Sequence, residues 1–497
     1  MDKKRLVIIF LFFFFMSYAQ NEFITLWKPN INGTIDNTIS FGGTGTSYII
    51  QWEEVGYPQH HGVLTSVTSN SSNPTIISFG SSLNTNPIQA TYKVKASNGS
   101  GLFYGFKANT SNLNINQKLV EISQWGDITW LQQFDRGFAN CPNLNVTATD
   151  TPNLTQISNV SQMFLNCSSL IGNNSFSNWN TSTVSNMSGM FNGASLFNQN
   201  IGGWNTTNVT DFSNMFAYAS AFNQNIGAWN TASATTFFGM FRSASAFNQP
   251  LNSWNTENVT NFRYVFMDAT SFNQPLHHWQ TGKGTDFQHM FENATSFNQP
   301  IGNWDVSMVN YFAGFNMFNG ATNFDQDISA WNMQFQYFFW NSVTFGFKNA
   351  GLSCTNYNKF LIALNNNPTL AGSTITSGTI DATGLYYSTP QAILARAQLM
   401  NKGFNIIGDT YNASCSTNLS TAETPAKLKI PAYPNPTTGV ITIELSVNEN
   451  VYLYDITGKI IKNMTLNKGK NSIDLSEYPS GNYLLKGNTT FSKIIKK

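Results

Sequence analysis

Trp204–Ala228 reads WNTTNVTDFSNMFAYASAFNQNIGA, and Trp229 begins the same phrase again. Trp179, Trp204, Trp229, Trp254, Trp279 and Trp304 stand 25 residues apart, and Trp331 follows after 27. A fixed period of this length marks a stacked repeat, in which each unit buries its apolar face only against its neighbours. Within the phrase, Val209, Phe212, Met215, Phe216 and Ala219 recur at spacings of three and four, which predicts one face of a helix. Ile226 to Trp229 predicts a short extended segment. A helical turn followed by a short strand is one coil of an α/β solenoid, with strands pairing in parallel about 4.8 Å apart.

Polar residues repeat with the aromatic ones. Phe-Asn-Gln begins at Phe197, Phe222, Phe247, Phe272 and Phe297, and becomes Phe324-Asp325-Gln326 in the last copy. A buried amide needs partners, so the Asn is expected to form a ladder between coils. The Gln fits either that ladder or the surface. The Trp series fits an exposed stacking platform for sugar rings or a buried stack, and its regularity favours burial. The positions that vary between coils are the binding candidates: Gly202-Gly203, Gly227-Ala228, Asn252-Ser253 and His277-His278.

Composition narrows the class of function. Of 497 residues only 10% are charged, against the usual quarter, and 14% are aromatic. Asn, Ser and Thr make up the polar balance, which suits an exported or surface protein. Between Phe176 and Asn332 eight acids face three bases (Arg242, Arg263 and Lys283), so the repeats lack the cations that phosphate backbones require. Nucleic acid is therefore not an expected partner. From Ala426 onward ten Lys face five acids, which a solvated small domain accounts for. Lys3, Lys4 and Arg5 followed by the apolar run Leu6–Met16 form a secretory signal, with Ser17-Tyr18-Ala19 predicting cleavage after Ala19. No further run is long enough for a membrane helix, so none is expected in the mature chain.

No catalytic motif such as GxSxG or HExxH occurs, and a repeat builds long surfaces rather than a convergent site, so no enzyme is expected. Metal and cofactor sites are not expected either. The pairs His60-His61 and His277-His278 could bind metal with His289, but adjacent His side chains rarely converge on one ion, and no pair of Cys has CxxC spacing. Asp325 and Asp327 are the carboxylates from which a calcium site would have to start. Of the four Cys, Cys141 and Cys167 fall on the small apolar position of neighbouring coils and predict buried thiols. Cys354 and Cys415 bracket the segment after the repeats and are the possible disulfide of an exported protein.

Phe138-Ala-Asn-Cys141-Pro-Asn-Leu144 and Phe164-Leu-Asn-Cys167-Ser-Ser-Leu170 share the skeleton that later coils write as Phe216-x-x-Ala219-x-x-Phe222. These residues resemble BspA-like surface proteins with Treponema-type leucine-rich repeats, over roughly Glu121 to Leu352. The resemblance implies a right-handed leucine-rich solenoid. The flanks FITLWKPN and LVEISQWGDITW resemble the edges of the PKD-like domain that precedes such repeats, although Trp52-Glu53-Glu54-Val55 stands where that domain often has W-G-D-G. After the repeats, NYNKFLIALNNN and YYSTPQAILARAQLMNKGFNIIGD resemble the family's closing segment. Thr389-Pro390 fits a helix start and Lys402-Gly403 its end. YPNPTTGVITIEL, VYLYDITGKIIK and SIDLSEYPSGNYLLKG resemble the type A C-terminal sorting domain of type IX secretion. That resemblance implies a Bacteroidetes-type cell, the type IX secretion machinery as a partner, and display on the outer cell surface.

The expected organisation is a signal peptide (1–19), a PKD/Ig-like β-sandwich (20–118), the α/β solenoid (119–352), its C-terminal cap (353–412), a linker (413–428) and a small C-terminal β-sandwich for sorting (429–497). The expected function is adhesion or binding to an extracellular protein or glycan. The alternatives are a polysaccharide-processing enzyme or accessory carbohydrate-binding protein, and a structural surface-layer component.

Overall fold

The structure, a computed structural model, describes residues 21–108, 116–131, 133–309, 315–335, 342–370, 377–416, 428–429, 432–455, 460–487 and 490–497. The expected cleavage site at Ala19 and most of the linker lie outside them. The chain divides into two compact units, Met1–Cys415 and Ser416–Lys497. Among the described residues no helix is long and apolar enough to cross a membrane.

The coils are built differently from the α/β expectation. Among the described residues from 147 to 334 there is no α-helix, only turns, bends, isolated parallel bridges and one 3-10 turn at Asn174–Asn178. From Phe212 to Ala219 alternate amides take different partners. The N–H groups of Phe212, Asn214, Phe216 and Tyr218 donate to Thr236, Phe238, Met240 and Arg242 of the next coil at 2.7–3.4 Å. Those of Met215, Ala217 and Ala219 donate to the carbonyls three residues back, each at 3.1 Å. Two positions per coil are left-handed: Asn214 and Tyr218 (φ 54 and 58), Gly239 and Ser243 (60 and 57), Tyr264 and Asp268 (61 and 58), His289 and Asn293 (56 and 57). A left-handed residue cannot continue an α-helix. The three-residue spacing in the sequence is real, but it records a repeated three-residue turn. The side chains of the spaced series still point inward, since Val209, Phe212, Met215, Phe216 and Ala219 are all buried.

Stacking turns each inward position into a column. Phe164, Phe191, Phe216, Phe241, Phe266 and Phe291 follow one another at 5.6–5.9 Å with planes within 10°. Phe222, Phe247, Phe272 and Phe297 form a second column at 6.0–6.1 Å, set about a ring's thickness from the first (Phe216–Phe222, 3.9 Å). The Trp residues form a third, at 6.4 Å from Trp204 to Trp304. They are buried, with 2–3% exposure, and the indole N–H groups of Trp204, Trp229, Trp254, Trp279 and Trp304 donate to carbonyls of Phe176, Ile201, Ile226, Leu251 and Leu276 at 2.7–3.2 Å. Each such bond crosses from one coil to the one before. Thr206, Thr231 and Thr256 donate forward, to carbonyls of Asn230, Asn255 and Gln280. The Asn ladder runs through the backbone: Oδ1 of Asn223 accepts the Asn248 N–H at 3.0 Å and the Gln249 side-chain amide at 2.9 Å, and the pattern repeats to Asn298. The Gln therefore belongs to the ladder.

Upstream, β1 (Phe23–Trp27), β3 (Gly43–Glu54), β4 (Tyr57–Ser69), β6 (Tyr92–Ser97), β7 (Phe103–Phe106), β8 (Leu119–Gln124) and β9 (Asn145–Val146) form a seven-stranded sheet. A two-stranded sheet, β2 (Thr38–Phe41) with β5 (Thr75–Ser78), packs Phe41 against Trp27, Phe103 and Phe106. β8 pairs antiparallel with β1 and parallel with β9. The sheet thus passes directly into the first coils, and one core runs from Phe23 to Ile406.

Two α-helices stand where the repeats end. α1 (Cys354–Asn365) lies between the parallel strands β10 (Ser342–Gly346) and β11 (Ser377–Asp381), and α2 (Pro390–Asn401) between β11 and β12 (Phe404–Ile407). Ser353 and Thr389 cap them, their hydroxyls accepting the Asn356 and Ala392 N–H groups. Arg396 holds the fully buried Asp409 carboxylate by two bonds of 2.8 Å, and Cys354 is joined to Cys415 with a Cα separation of 6.0 Å. Cys141 and Cys167 are free and buried, and burial pushes the Cys167 thiol up to about 12. The second unit forms a five-stranded and a three-stranded sheet around Ile441, Ile443, Val451, Leu453, Leu485 and Ile494.

Phe241 touches the Phe column in both neighbouring coils, so Phe241→Ala is expected to cost about 3–5 kcal/mol in denaturant unfolding, whereas Asn252→Ala, at the exposed bend, stays within about 1 kcal/mol. Reducing Cys354–Cys415, which closes 61 residues of chain, lowers unfolding free energy by about 2–4 kcal/mol. Melts with and without reductant read this directly.

Candidate binding surface

The varying bend positions come together. Gly202-Gly203, Gly227-Ala228, Asn252-Ser253 and His278 line an open groove of about 760 Å³ across successive coils. Its floor is backbone because the side chains are small. At its end Asn252 bonds both His277 and His278, at 3.3 and 3.1 Å, and accepts the His278 N–H.

A second strip was not visible as a site in the sequence. It lies on the turns that carry the left-handed residues. The Arg242 guanidinium stands 5.5 Å from the Tyr218 ring centre and 5.2 Å from that of Tyr264. Arg263 lies over Tyr264 at 4.6 Å and donates to its hydroxyl at 2.7 Å. Phe238 meets Tyr264 edge-on, and His289 stacks on it at 5.1 Å while bonding Glu292 at 2.6 Å. The column that holds Tyr264 and His289 is occupied in neighbouring coils by Gly189, Asn214 and Gly239. Gly and Asn adopt this conformation readily; a bulky side chain costs about 1–2 kcal/mol there. Strain retained by a surface aromatic points to a use for that aromatic. The signal in the sequence was Tyr and His at columns otherwise filled by Gly and Asn.

The carboxylates of the strip are engaged. Asp286 is buried and lies 3.9 Å from Arg263. Burial raises its pKa, against the opposing pull of the Gln288 N–H and Arg263. Asp268 accepts from Ser243 and Asn293.

The remaining candidate residues have structural partners. His60 bonds the buried Glu54 carboxylate at 2.5 Å and the Phe79 carbonyl, while His61 bonds the Pro58 carbonyl. His277 and His278 share Asn252, whereas His289 is taken by Glu292. Asp325 accepts the Ser353 N–H and the Asn356 side-chain amide at the start of α1, and Asp327 holds Lys359 at 2.9 Å. These two carboxylates anchor the cap. Among the described residues no three His, Cys, Asp or Glu groups come together as metal ligands.

Residues 132–252 and 224–331 match the family described as Mycoplasma protein of unknown function, DUF285, and residues 431–497 match the secretion system C-terminal sorting domain. Comparison with curated proteins and with solved structures gave no match. The chain thus carries a repeat region of the BspA-like DUF285 kind and a type IX secretion sorting domain. It is a secreted, cell-surface protein of a bacterium with Bacteroidetes-type type IX secretion.

Because the folded pKa of Asp286 is raised, folding favours its protonated form. Its contribution is most favourable at acid pH and is lost as pH rises from the ordinary aspartate range through the raised folded value. Asp286→Asn, the residue found at Asn261 one coil earlier, should therefore raise stability at neutral pH and have no effect in acid. Urea titrations at both pH values check the sign.

Proposed function

We propose that this protein is a non-enzymatic adhesin or binding protein, whose repeats present an extended surface to a protein or glycan outside the cell. The observation that carries the reading is the strip Tyr218–Arg242–Tyr264–His289, where strained aromatic side chains break an otherwise uniform surface. Tyr and Arg are also the residues that most often dominate binding surfaces. The N-terminal sheet is read as a PKD-like domain that holds the repeats away from its own terminus. The sorting domain delivers the chain and is removed in the linker within 413–428.

The mature protein is to be screened against arrays of glycans and extracellular proteins, with turnover measured as well as retention. A retained, unaltered ligand supports binding; turnover would sink the non-enzymatic reading. Deleting Trp229 to His278 removes two whole coils in register, together with Arg242, Arg263 and Tyr264. The deletion should fold and lose the ligand. If it folds and binds unchanged, the repeats are a spacer. Mass spectrometry of the surface form should find no peptides from Val451 to Lys462; their abundance would exclude removal of the sorting domain.

A further inference from the structure

We propose that the Tyr218–Arg242–Tyr264 clamp is a carboxylate site for an acidic polysaccharide, one sugar carboxylate bound at Arg242 and the sugar ring laid on Tyr218. The inference rests on the binding reading above and names its ligand class.

Three observations converge. Among the described residues Arg242 has no carboxylate partner: its side chain contacts the two Tyr rings, and its Nε is buried without a hydrogen bond. The other charges nearby are engaged with one another or with polar neighbours: Arg263 with Asp286, His289 with Glu292, and Asp268 with Ser243 and Asn293. The strip therefore offers one cation without a counter-ion, held between two rings. A planar guanidinium in a fixed pose matches a planar carboxylate through two parallel bonds, which a spherical ammonium cannot reproduce.

The backbone and the exposed ring select a sugar over a peptide. The Tyr218 amide donates to the Arg242 carbonyl, and the Tyr264 amide to that of Gln288. These main-chain groups are already used between coils, so an extended peptide cannot add as a strand here. Tyr218 is 46% exposed despite its left-handed backbone, which leaves a ring face for the apolar face of a pyranose.

The test uses the full secreted chain and polygalacturonate as probe, with neutral dextran, dextran sulfate and polyglutamate alongside. Wild type should retain polygalacturonate in preference to the other three. Arg242→Gln and Tyr218→Ala should each weaken it about tenfold or more, and Arg242→Lys should fall between. Lys283→Gln, at the remaining base of the repeats, should change nothing. Melting curves confirm that each variant is folded. Equal binding by folded Arg242→Gln would overturn the proposal. So would preference for polyglutamate or for dextran sulfate, or failure of wild type to bind polygalacturonate. If that failure occurs while the coil deletion still abolishes an array ligand, the binding reading stands and the carboxylate assignment alone falls.

Discussion

The amide of every second residue on one face of a coil reaches the carbonyl of the next coil. The rest of the first unit depends on this constraint. To present alternate amides outward, the chain must fold back in three-residue turns, and two residues per coil must go left-handed. The same geometry sets inward side chains in register from coil to coil, so most identical residues stack, while Phe212, Phe237 and Phe262 meet edge-on. Aromatic columns then become favourable: each stacked pair adds about 0.5–1.5 kcal/mol beyond its buried area. Indole N–H, Thr hydroxyl and Asn–Gln bonds cross between coils in the same way. Because half of these amide bonds, the aromatic columns and the side-chain bonds all join a coil to its neighbours, the ends must be covered. The N-terminal sheet joins one end through β8 and β9, and the α1–α2 cap closes the other.

Much of this was legible in the sequence. The period, the buried Trp series and the inward identity of Val209, Phe212, Met215, Phe216 and Ala219 all follow from repetition and apolar patterning. The boundaries of α2 followed from Thr389-Pro390 and Lys402-Gly403. What failed was the conformation of the coil. A spacing of three and four is shared by an α-helix and by stacked three-residue turns, and burial alone does not separate them. Gly189, Gly193, Gly239 and Gly320 carried the missing information: all four have positive φ, and glycine would be a poor choice within a helix.

The candidate surface was half legible. Variation at the bends pointed to the groove around Gly202 and Gly227, although those two glycines are themselves held close to backbone, a Cβ on them standing 2.4 Å from the Asn225 carbonyl and 2.7 Å from that of Pro250. The Tyr–Arg strip escaped because its members come from separate coils, and their adjacency depends on the turn geometry that the helical reading lacked. On a helix Tyr218 and Arg242 would have no reason to meet. In the stack, Tyr218 donates its backbone N–H to Arg242 itself, so their side chains are placed together by the same bond that holds the coils.

The most direct test of the turn-built coil is a pair of glycine substitutions. Gly239 is left-handed, and a Cβ there would stand 2.3 Å from Asn214 Oδ1; Gly203 is exposed with nothing within 4 Å of a Cβ. Denaturant unfolding of Gly239→Ala should show a loss of about 1–2 kcal/mol or more, with Gly203→Ala close to wild type. Helical coils would give the opposite sign at position 239, a gain of about 1 kcal/mol as alanine replaces glycine within a helix. That result would contradict the account.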